Sequence, residues 1–493
     1  MKLLFVALDS RVKRYGIMSL SAFLKKDKRH QVFLEEYTDF NTLKSRFDEI
    51  SPDFVAYSCM SGEYNKAREI NRQLKSKVKP FVSLWGGPHP TYSQEIINDE
   101  GVDAVCVGEG EGALLELCDR WQGGRRQYDI KNWLFKVDGR IIKNPLRPLI
   151  DINTLPVPDF NIFKSGKKEY VDVYVTRGCY FNCTYCFNHR WKELYNNFAN
   201  PIRTLSIERA MEVLKYVKTE FADKIKYICF HDDTLPIKDK NWITAFSQAY
   251  REHIGIPFYI NMYPTMADEE NLGLLKQAGL FKVNFAMESG NEYIRQEVLG
   301  RKMSNEKILK AAEILHRHRL LVSIQNITCL PREDFRKTRE TFELNIKCRP
   351  HIAAISKFVP FPGIKLTELA IKDNHLKRGE FEDKIPDDYH WRSLLNFKDK
   401  KDKCRMEYMV NLFTLGVAFP FLKPLIYLMV KAPDWPIIKR FYAHIDNQAW
   451  SVITHQDFDQ TMRTLHRKNE SIRLFFKIIS RVIFAREKTE AGG

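Results

Sequence analysis

The 493-residue sequence has few of the features that mark secreted, membrane-spanning or disordered chains. Its ten cysteines are mostly isolated, which excludes a disulfide-rich secreted domain. No run reaches the ~18 apolar residues that a membrane span requires. The N-terminal apolar run stops at Asp9, too early for the core of a signal peptide. Glycine and proline are at ordinary levels, which excludes collagen-like and low-complexity chains. We therefore expect a globular protein located in the cytoplasm.

Positive charge is what the sequence has in excess. The chain holds 78 Lys and Arg residues against 62 Asp and Glu residues, a formal charge of +16. Such an excess suits phosphate-bearing cofactors, nucleic acid or an anionic membrane surface, although a plain basic surface is the simpler explanation. The sequence shows no RNA-binding module and no aromatic-basic platform, so no nucleic-acid partner is expected.

The first 121 residues alternate strand-like apolar runs with helical stretches. This alternation predicts parallel βαβ units and a doubly wound sheet, whose ligands bind beyond the carboxyl ends of the strands. The predicted strands are Lys2–Leu8, Gln31–Glu36, Asp53–Ser58, Phe81–Trp85 and Asp103–Val107.

Glycines and other small residues follow the third, fourth and fifth predicted strands. Glycine lets the backbone approach a bulky ligand closely, because no Cβ intervenes. Any one of these segments could be an ordinary βα turn, but three on one edge of a sheet predict a large, flat cofactor. The candidate contact residues are Ser58, Met60, Gly86, Gly87, Pro88, His89, Gly108, Glu109 and Gly110.

Three closely spaced cysteines, Cys179, Cys183 and Cys186, follow an apolar run at Val171–Val175. Three thiolates on one tight loop can hold three irons of a cubane cluster, which leaves the fourth iron open to a small molecule. Zinc is the main alternative, but structural zinc needs four protein ligands. His189 is the one nearby candidate for a fourth ligand, and a histidine in that position is more simply a loop residue.

The cysteine triplet, with aromatic Tyr185 just before its last member, resembles the signature of radical S-adenosylmethionine (SAM) enzymes. The resemblance implies a [4Fe-4S] cluster on the three cysteines, with SAM chelated by the open iron and Tyr185 against its adenine. It also places SAM contacts at the ends of later strands, two of which, at Asp233 and Glu288, could equally be salt bridges that close a barrel. These further contacts are Asp232, Asp233, Glu288 and Ser289.

The N-terminal domain resembles the cobalamin-binding Rossmann-like domain that is fused to one branch of that family. The resemblance makes the glycine-rich strand ends contacts for cobalamin. In cobalamin methyltransferases a histidine in the loop after the first strand ligates cobalt, but here the loop from Asp9 to Gly16 has none. Bound cobalamin is therefore expected base-off, without a protein histidine ligand, and a degenerate domain that binds no cobalamin remains the alternative.

The middle of the chain continues as strands that alternate with helices, predicting a partial (β/α)6 barrel with its site at the C-terminal rim. In the fifth loop, Cys329-Leu330-Pro331-Arg332-Glu333 replaces a glycine-containing stretch of the family, which puts the local backbone in doubt. The predicted barrel strands are Val171–Val175, Tyr227–Phe230, Phe258–Asn261, Lys282–Ala286, Leu321–Ile327 and Ala354–Val359.

The predicted domains are a cobalamin-binding domain over 1–125, a linker over 126–160, the barrel over 161–375 and a mostly helical domain over 376–493. In the last of these, Ile472–Arg486 is a basic amphipathic helix candidate that could lie on an anionic membrane surface. A helical cap on the barrel is the simpler interpretation. Membrane association of a cytoplasmic protein stays an option.

The resemblance implies a cobalamin-dependent radical SAM enzyme. A 5′-deoxyadenosyl radical would activate an unactivated carbon of a small, hydrophobic substrate, and methylcobalamin would supply the methyl group. Flavodoxin or ferredoxin would be the electron donor. The first alternative is a radical cyclase or ring-rearranging enzyme with the same cofactors. The second is a non-catalytic module that binds an iron–sulfur cluster and cobalamin. The sequence identifies no hydrogen donor and no acid or base.

Overall fold

The computed structural model describes residues 1–8, 14–26, 28–124, 126–164, 169–196, 202–381, 384–385, 392–454, 475, 477–478 and 480–482. The chain divides into two compact units. Unit 1 comprises Met1–Asp233, Pro360–Glu368 and Arg378–Asp388, and unit 2 comprises Thr234–Val359, Leu369–Lys377 and Tyr389–Gly493. The predicted α/β class with a helical C-terminal part is confirmed.

The strands of the described residues are β1 (Lys2–Ala7), β2 (Gln31–Glu36), β3 (Phe54–Ser58), β4 (Val82–Gly86), β5 (Ala104–Cys106), β6 (Trp133–Val137), β7 (Arg140–Lys143), β8 (Tyr170–Val173), β9 (Thr176–Arg177), β10 (Arg203–Thr204), β11 (Tyr227–Phe230), β12 (Phe258–Met262), β13 (Leu280–Glu288), β14 (Leu321–Thr328) and β15 (Ile352–Lys357). Every strand expected in the two predicted sheets is therefore present, with ends shifted by one or two residues in most cases.

The α-helices of the same residues are α1 (Tyr15–Lys25), α2 (Phe40–Ile50), α3 (Tyr64–Lys77), α4 (Pro88–Tyr92), α5 (Glu111–Gln122), α6 (Phe187–Leu194), α7 (Ile207–Phe221), α8 (Lys240–His253), α9 (Glu269–Ala278), α10 (Asn305–Arg317), α11 (Phe335–Cys348), α12 (Lys365–Lys372), α13 (Lys400–Ala418), α14 (Lys423–Met429) and α15 (Pro436–Thr454). Many begin at an Asp or Ser whose side chain accepts a hydrogen bond from a first-turn amide, which stabilises the helix start. These capping residues are Asp39, Ser206, Asp239, Asp268, Ser304, Asp334 and Asp399.

Unit 1 begins with a seven-stranded sheet of order β2-β1-β3-β4-β5-β6-β7. The first five strands in this order are parallel. The order is that of flavodoxin-like folds, in which the strand order reverses between β1 and β3. This reversal opens a crevice at the carboxyl ends of these two strands. Helices α2 and α3 cover one face and bury Phe47, Ile70 and Leu74 against Val55 and Trp85. The sheet thus presents its strand ends to a ligand.

The hairpin formed by β6 and β7 was not predicted from the sequence, and it lies in the segment predicted as a linker. β6 pairs antiparallel with β5, and β7 pairs antiparallel with β6. Asp138 and Gly139 form the turn with φ of 48° and 74°. An Asp-Gly pair between apolar runs is a strong hairpin signal, because both turn residues need positive φ. The hairpin could therefore have been predicted.

The rest of unit 1 carries the cysteines. β8 pairs in parallel with β11. The short strands β9 and β10 pair antiparallel, with Arg177 opposite Arg203. The cysteines follow β9 directly, and α6 begins immediately after the last of them. This order places the cysteines on a loop between a strand and a helix.

Unit 2 contains four parallel strands in the order β12-β13-β14-β15. Helices α9, α10 and α11 connect successive strands, as expected of βα units. Helix α13 packs against these strands and helices and forms the hydrophobic core of unit 2 with them. In this core, Met409 and Phe413 contact Phe342 and Ile355. Much of the apolar run from Met409 to Val430 is buried in this core.

Most of the predicted basic helix Ile472–Arg486 lies outside the described residues. Of the described ones, Ile478 is buried and Phe475 packs beside Phe419. Within the described ranges, no helix has both the length and the apolar character needed to cross a bilayer.

Candidate functional site

A cavity of about 520 Å³ lies at the carboxyl ends of β3, β4 and β5. All of its lining residues belong to unit 1. Gly87 and Gly108, with φ of 94° and 83°, turn the backbone at its edge. A Cβ on Gly108 would lie 2.0 Å from the Tyr195 hydroxyl, so glycine is required at that position. The predicted crevice therefore exists as an open space for a ligand.

Most of the predicted cobalamin contacts line this cavity. Those that do are Ser58, Met60, Gly86, Gly87, Pro88, Gly108, Glu109 and Gly110. His89 lies outside the lining, because its buried ring packs 4.5 Å from Tyr64 and its Nδ1 lies 3.1 Å from the Ser61 hydroxyl. Burial lowers the pKa of His89 to about 4, so the ring is neutral.

Aromatic side chains that the sequence analysis did not single out form much of the remaining cavity wall. Tyr57 and Trp85 stack with ring centroids 4.5 Å apart, and Tyr15 packs against Tyr174 at 4.6 Å. Flat, rigid rings suit a large planar ligand, because they offer broad contact area at low conformational cost. The aromatic lining residues are Phe5, Tyr15, Tyr57, Trp85, Trp133, Tyr174 and Trp191.

A buried ion network connects the strand-end loop after β5 with β9. Arg177 pairs with Glu109 at 3.0 Å and with Glu111 at 2.6 Å, and Arg203 pairs with Glu109 at 2.6 Å. Burial alone would raise the pKa of Glu111, but Arg177 and a hydrogen bond from Ser19 outweigh it and hold the pKa below its ordinary range. The glycine-rich loop and the strand before the cysteines are therefore held together by charge.

The cysteine loop, defined as residues 176–188, carries Cys179, Cys183 and Cys186, and none of the three forms a disulfide. Cys183 is buried, and its carbonyl accepts a hydrogen bond from the Cys186 amide at 3.2 Å, which tightens the loop. Cys186 caps α6, and the Asn188 side-chain amide donates to its sulfur at 3.6 Å. Burial raises the pKa of the Cys186 thiol to about 12, so binding a metal would release its proton. Tyr185 is half-buried on the same loop.

Both ring nitrogens of His189 are occupied by the backbone. The Lys365 amide lies 3.4 Å from Nε2 and can only donate, which places the ring proton on Nδ1. Nδ1 lies 3.0 Å from the Cys183 carbonyl and donates to it. His189 therefore supports the cysteine loop as a neutral bridge and is not available as a fourth zinc ligand. The residues present suit a three-cysteine cluster better than a structural zinc site.

The two carboxylates after β11 have different surroundings. Asp232 is buried, and its Oδ1 accepts from the Val175 amide at 2.9 Å and from the Thr176 hydroxyl at 2.6 Å. Burial raises the pKa of Asp232 to about 7. Its Oδ2 is buried without a hydrogen-bond partner among the described residues. Asp233 lines the cavity and is accessible from it. Desolvation by the surrounding cavity wall raises the pKa of Asp233, opposed by a hydrogen bond with Asn188.

In unit 2, Glu288 is the last residue of β13, and Ser289 follows it directly. Glu288 is buried with φ of 67°, and the register of β13 against β14 shifts beside it. A strained backbone at a buried carboxylate is typical of functional positions. Ser289 is buried, and its carbonyl accepts from Arg295 at 2.6 Å while its hydroxyl accepts from the Asn291 amide at 3.2 Å. Its hydroxyl therefore stabilises the turn.

The loop after β14 keeps left-handed backbone although it lacks glycine. Cys329 and Arg332 have φ of 58° and 62°. Glu333 is buried and receives hydrogen bonds from the Leu330 amide at 3.0 Å and from Thr338 at 3.0 Å. Burial raises the pKa of Glu333 to about 7. These bonds hold the turn in a conformation that glycine would adopt more readily.

A polar cluster on β8 and β11 was not found from the sequence. Asp172 stands opposite Cys229 in the strand register, and His231 follows two residues later on the same face. One ligand atom from each of the three lies within 4.8 Å of the others. The Asp172 carboxylate lies 3.5 Å from His231 Nδ1, and the His231 ring lies 6.3 Å from Tyr174 of the cavity wall. Only the spatial pairing of two distant strands reveals this cluster.

Comparison with known proteins assigns the two parts of the site. Residues 1–118 match the B12 binding domain, and residues 173–344 match the radical SAM superfamily. The chain is 26% identical over 380 residues to an uncharacterized methyltransferase of Pyrococcus horikoshii, covering 73% of this chain and 79% of that one. It is 23% identical over 350 residues to the anaerobic magnesium-protoporphyrin IX monomethyl ester cyclase of Cereibacter sphaeroides, covering 67% and 55%.

Among solved structures, the cobalamin-dependent SAM radical enzyme OxsB shares the fold. Its TM-score is 0.63 at 14% identity, with 98% of this chain and 80% of that chain covered. The two domains therefore define the class as an iron–sulfur enzyme that uses SAM together with a B12-binding domain. The chain combines a B12 binding domain with a radical SAM domain, as cobalamin-dependent radical SAM enzymes do, with a [4Fe-4S] cluster, SAM and cobalamin as cofactors and a small molecule as substrate.

Proposed function

We propose that the enzyme methylates an unactivated carbon of a small molecule. One observation carries the proposal: a single cavity is lined both by the glycine-rich strand ends and by residues of the cysteine loop. Gly86 and Gly110 represent the first group, and Arg177, Gly178 and Asn188 represent the second. A methyl donor and a radical source must approach the same substrate carbon, and a shared cavity supports this.

The chain's own residues have distinct parts in this proposal. Cys179, Cys183 and Cys186 would hold the cluster, while Tyr185, Asp232, Asp233, Glu288 and Ser289 stay candidate SAM contacts. When bound, the cluster with SAM supplies the radical that activates the substrate, and cobalamin supplies the methyl group. Arg177 and Asp232 hold both ends of β9 in place, and the aromatic wall excludes water from reactive species.

We propose that cobalamin is bound through the strand ends without a histidine on cobalt. None of the described residues lining the cavity is a histidine. The loop residues 9–13, which lack histidine in the sequence, lie outside the described residues. Support also comes from His89, whose ring is packed in the domain core.

We infer that the polar cluster of Asp172, Cys229 and His231 contacts the substrate. Its three side chains differ in burial, from the buried Cys229 to the exposed His231, so the cluster is open on one side. It offers a carboxylate, a thiol and an imidazole beside Tyr174 of the cavity wall. These groups can orient a polar substituent and accept or return a proton.

Flavodoxin or ferredoxin as electron donor, and a hydrophobic substrate, also stay proposals. A cyclase or ring-rearranging activity is the second candidate, because one relative is named as a cyclase. SAM with a deuterated methyl group separates the two, since only methyl transfer places deuterium in the product. A protein that binds the cluster but forms no 5′-deoxyadenosine would instead be the non-catalytic module.

The first test is the iron, sulfide and cobalt content after anaerobic reconstitution with hydroxocobalamin. The proposal expects about four iron and four sulfide per chain, together with about one cobalt. Four iron without cobalt would contradict methyl transfer from cobalamin and leave a radical SAM enzyme of another kind.

A further inference from the structure

The segment from Pro420 to Phe441 exposes an unusual number of large apolar side chains. This basic-apolar surface comprises the turn before α14, helix α14, the following loop and the first turns of α15, all in unit 2. Ile437 is 72% exposed and Leu428 is 66% exposed. Its exposed apolar residues are Phe421, Leu425, Leu428, Trp435, Ile437 and Phe441.

The exposed residues form one side of helices whose other side is buried. In α14, Leu425 and Leu428 are exposed whereas Ile426 is buried in the core of unit 2. In α15, Phe441 is exposed whereas its neighbour Tyr442 is buried. The exposure is therefore not a consequence of loose packing, because the opposite side of each helix is buried in the core of unit 2. Exposed apolar groups at this density mark a contact surface.

The charge of the same segment is positive. Lys423, Lys431, Lys439 and Arg440 stand against a single acidic residue, Asp434. Lys439 pairs with Asp434, and Lys423 lies 3.1 Å from Glu343. Lys431 and Arg440 are exposed. Tryptophan and phenylalanine beside exposed cations are typical of segments that lie at a lipid headgroup boundary.

We propose that the basic-apolar surface docks on an anionic lipid membrane, as a peripheral contact. Lys431 and Arg440, the exposed cations of this surface, complement the negative charge of such a membrane, whereas the same cations on a second copy would repel them. The membrane contact considered from the sequence lay at Ile472–Arg486, most of which is outside the described residues, and the surface proposed here is a different segment. This inference rests on the proposed function with its hydrophobic substrate. A lipid-soluble substrate would reach the enzyme from the membrane on which this surface docks.

The test is co-flotation of the full-length, reconstituted protein with vesicles. Vesicles of equal parts phosphatidylcholine and phosphatidylglycerol should carry the protein to the top of a gradient, and pure phosphatidylcholine should carry much less. Raising the salt to about 1 M should release it, because the screening length falls to about 3 Å. The double variant Ile437→Ser/Phe441→Ser should bind at least about tenfold more weakly, because two large apolar side chains no longer enter the lipid.

The matched control is Ile141→Ser/Ile142→Ser, which removes two exposed isoleucines from β7 of unit 1. It should bind vesicles as the unchanged protein does. A second variant, Lys431→Glu/Arg440→Glu, removes charge from exposed positions, and it should lose the preference for anionic vesicles while keeping its melting temperature. Its iron content should also be unchanged, which separates membrane docking from the proposed chemistry.

Four outcomes would overturn the proposal. The first is no flotation of the full-length protein at low salt. The second is equal binding by the surface variants and the β7 control. The third is light scattering that shows a dimer which Ile437→Ser/Phe441→Ser converts to a monomer, without vesicle binding, since the surface would then join two copies. Flotation that appears only after removal of the residues following Thr454 would count against it as well, because the proposal concerns the full chain.

Discussion

The guanidinium of Arg177 pairs with Glu109 at 3.0 Å and with Glu111 at 2.6 Å. Glu109 and Glu111 belong to the glycine-rich end of β5, whereas Arg177 lies two residues before the first cysteine of the loop. The pairing therefore connects the loop expected to contact cobalamin with the loop expected to hold the cluster. Because Arg177 and both glutamates are largely buried, the geometry of one loop depends on the other.

Replacing Arg177 with Met should lower the free energy of unfolding by about 2–3 kcal/mol, because Glu111 is left charged and buried. Adding Glu111→Gln should recover part of this loss. Denaturant unfolding of the three proteins measures it. Arg72→Met, which breaks an exposed helical pair with Glu69, is the control and should change stability by less than about 0.5 kcal/mol. Equal losses from both Met variants would show that the buried network adds nothing.

Cys183→Ala should lower the iron content well below the about four atoms per chain of a complete cluster. The broad visible absorption of the cluster should be lost as well. The reason is that only three ligands are available and each holds one iron. Cys118→Ala, which changes a buried cysteine within α5, is the matched control and should keep the iron content of the unchanged protein. If Cys183→Ala retained full iron content, the ligand assignment would be wrong.

His189→Gln should keep most of the iron while loosening the loop. Glutamine retains one donor and one acceptor, but it cannot reach both the Cys183 carbonyl and the Lys365 amide as the ring does. Metal analysis and anaerobic melting together measure the two effects. Complete loss of metal from His189→Gln, together with one zinc in place of iron in the unchanged protein, would instead identify His189 as a ligand.

Gly16→Leu should lower the cobalt content without disturbing the fold. Gly16 lies in the first turn of α1 and lines the cavity, and a Cβ there would meet nothing within 4 Å. A leucine therefore fits the backbone but fills ligand space. Gly123→Leu, at an exposed position after α5, should bind cobalamin normally. Unchanged cobalt content in Gly16→Leu would mean that cobalamin does not occupy this cavity.

Glu333 should make stability depend on pH. Its pKa is about 7 in the folded chain against 4.5 for the free side chain. The folded state therefore holds a proton that the unfolded state has lost, and stability falls as the pH rises from about 4.5 through 7. The loss is on the order of 3 kcal/mol. Glu333→Gln should reduce the slope of the unfolding free energy over this window, with Asp232, whose pKa is also about 7, accounting for part of what remains. An unchanged slope would contradict a buried, protonated Glu333.

Much of the fold follows from local patterns. The five strands before Val107 alternate with amphipathic helices, so periodicity alone predicts a parallel sheet. The Asp138-Gly139 turn is an equally local signal, and it indicates the hairpin of β6 and β7. The expected strands after the cysteines are also present, because each is a short apolar run bounded by turn residues.

Other features needed contacts between distant segments. The pairing of Arg177 with Glu111 joins residues 66 positions apart. The polar cluster of Asp172 and Cys229 exists only because β8 and β11 are neighbours. His89 shows the reverse case. Its place among the residues after the fourth strand predicted a ligand contact, but its ring packs against Tyr64 and is buried in the core.

The sequence by itself determined the class of the protein. The C-x3-C-x2-C spacing needs no folding to be read, because three ligands within eight residues must share one loop. Only the tertiary structure decided which surfaces meet. It brought the glycine-rich strand ends and the cysteine loop to one cavity, and it left Ile437 and Leu428 exposed while Ile426 was buried. The physical reason is that burial and charge pairing depend on distances across the folded chain, which local spacing does not set.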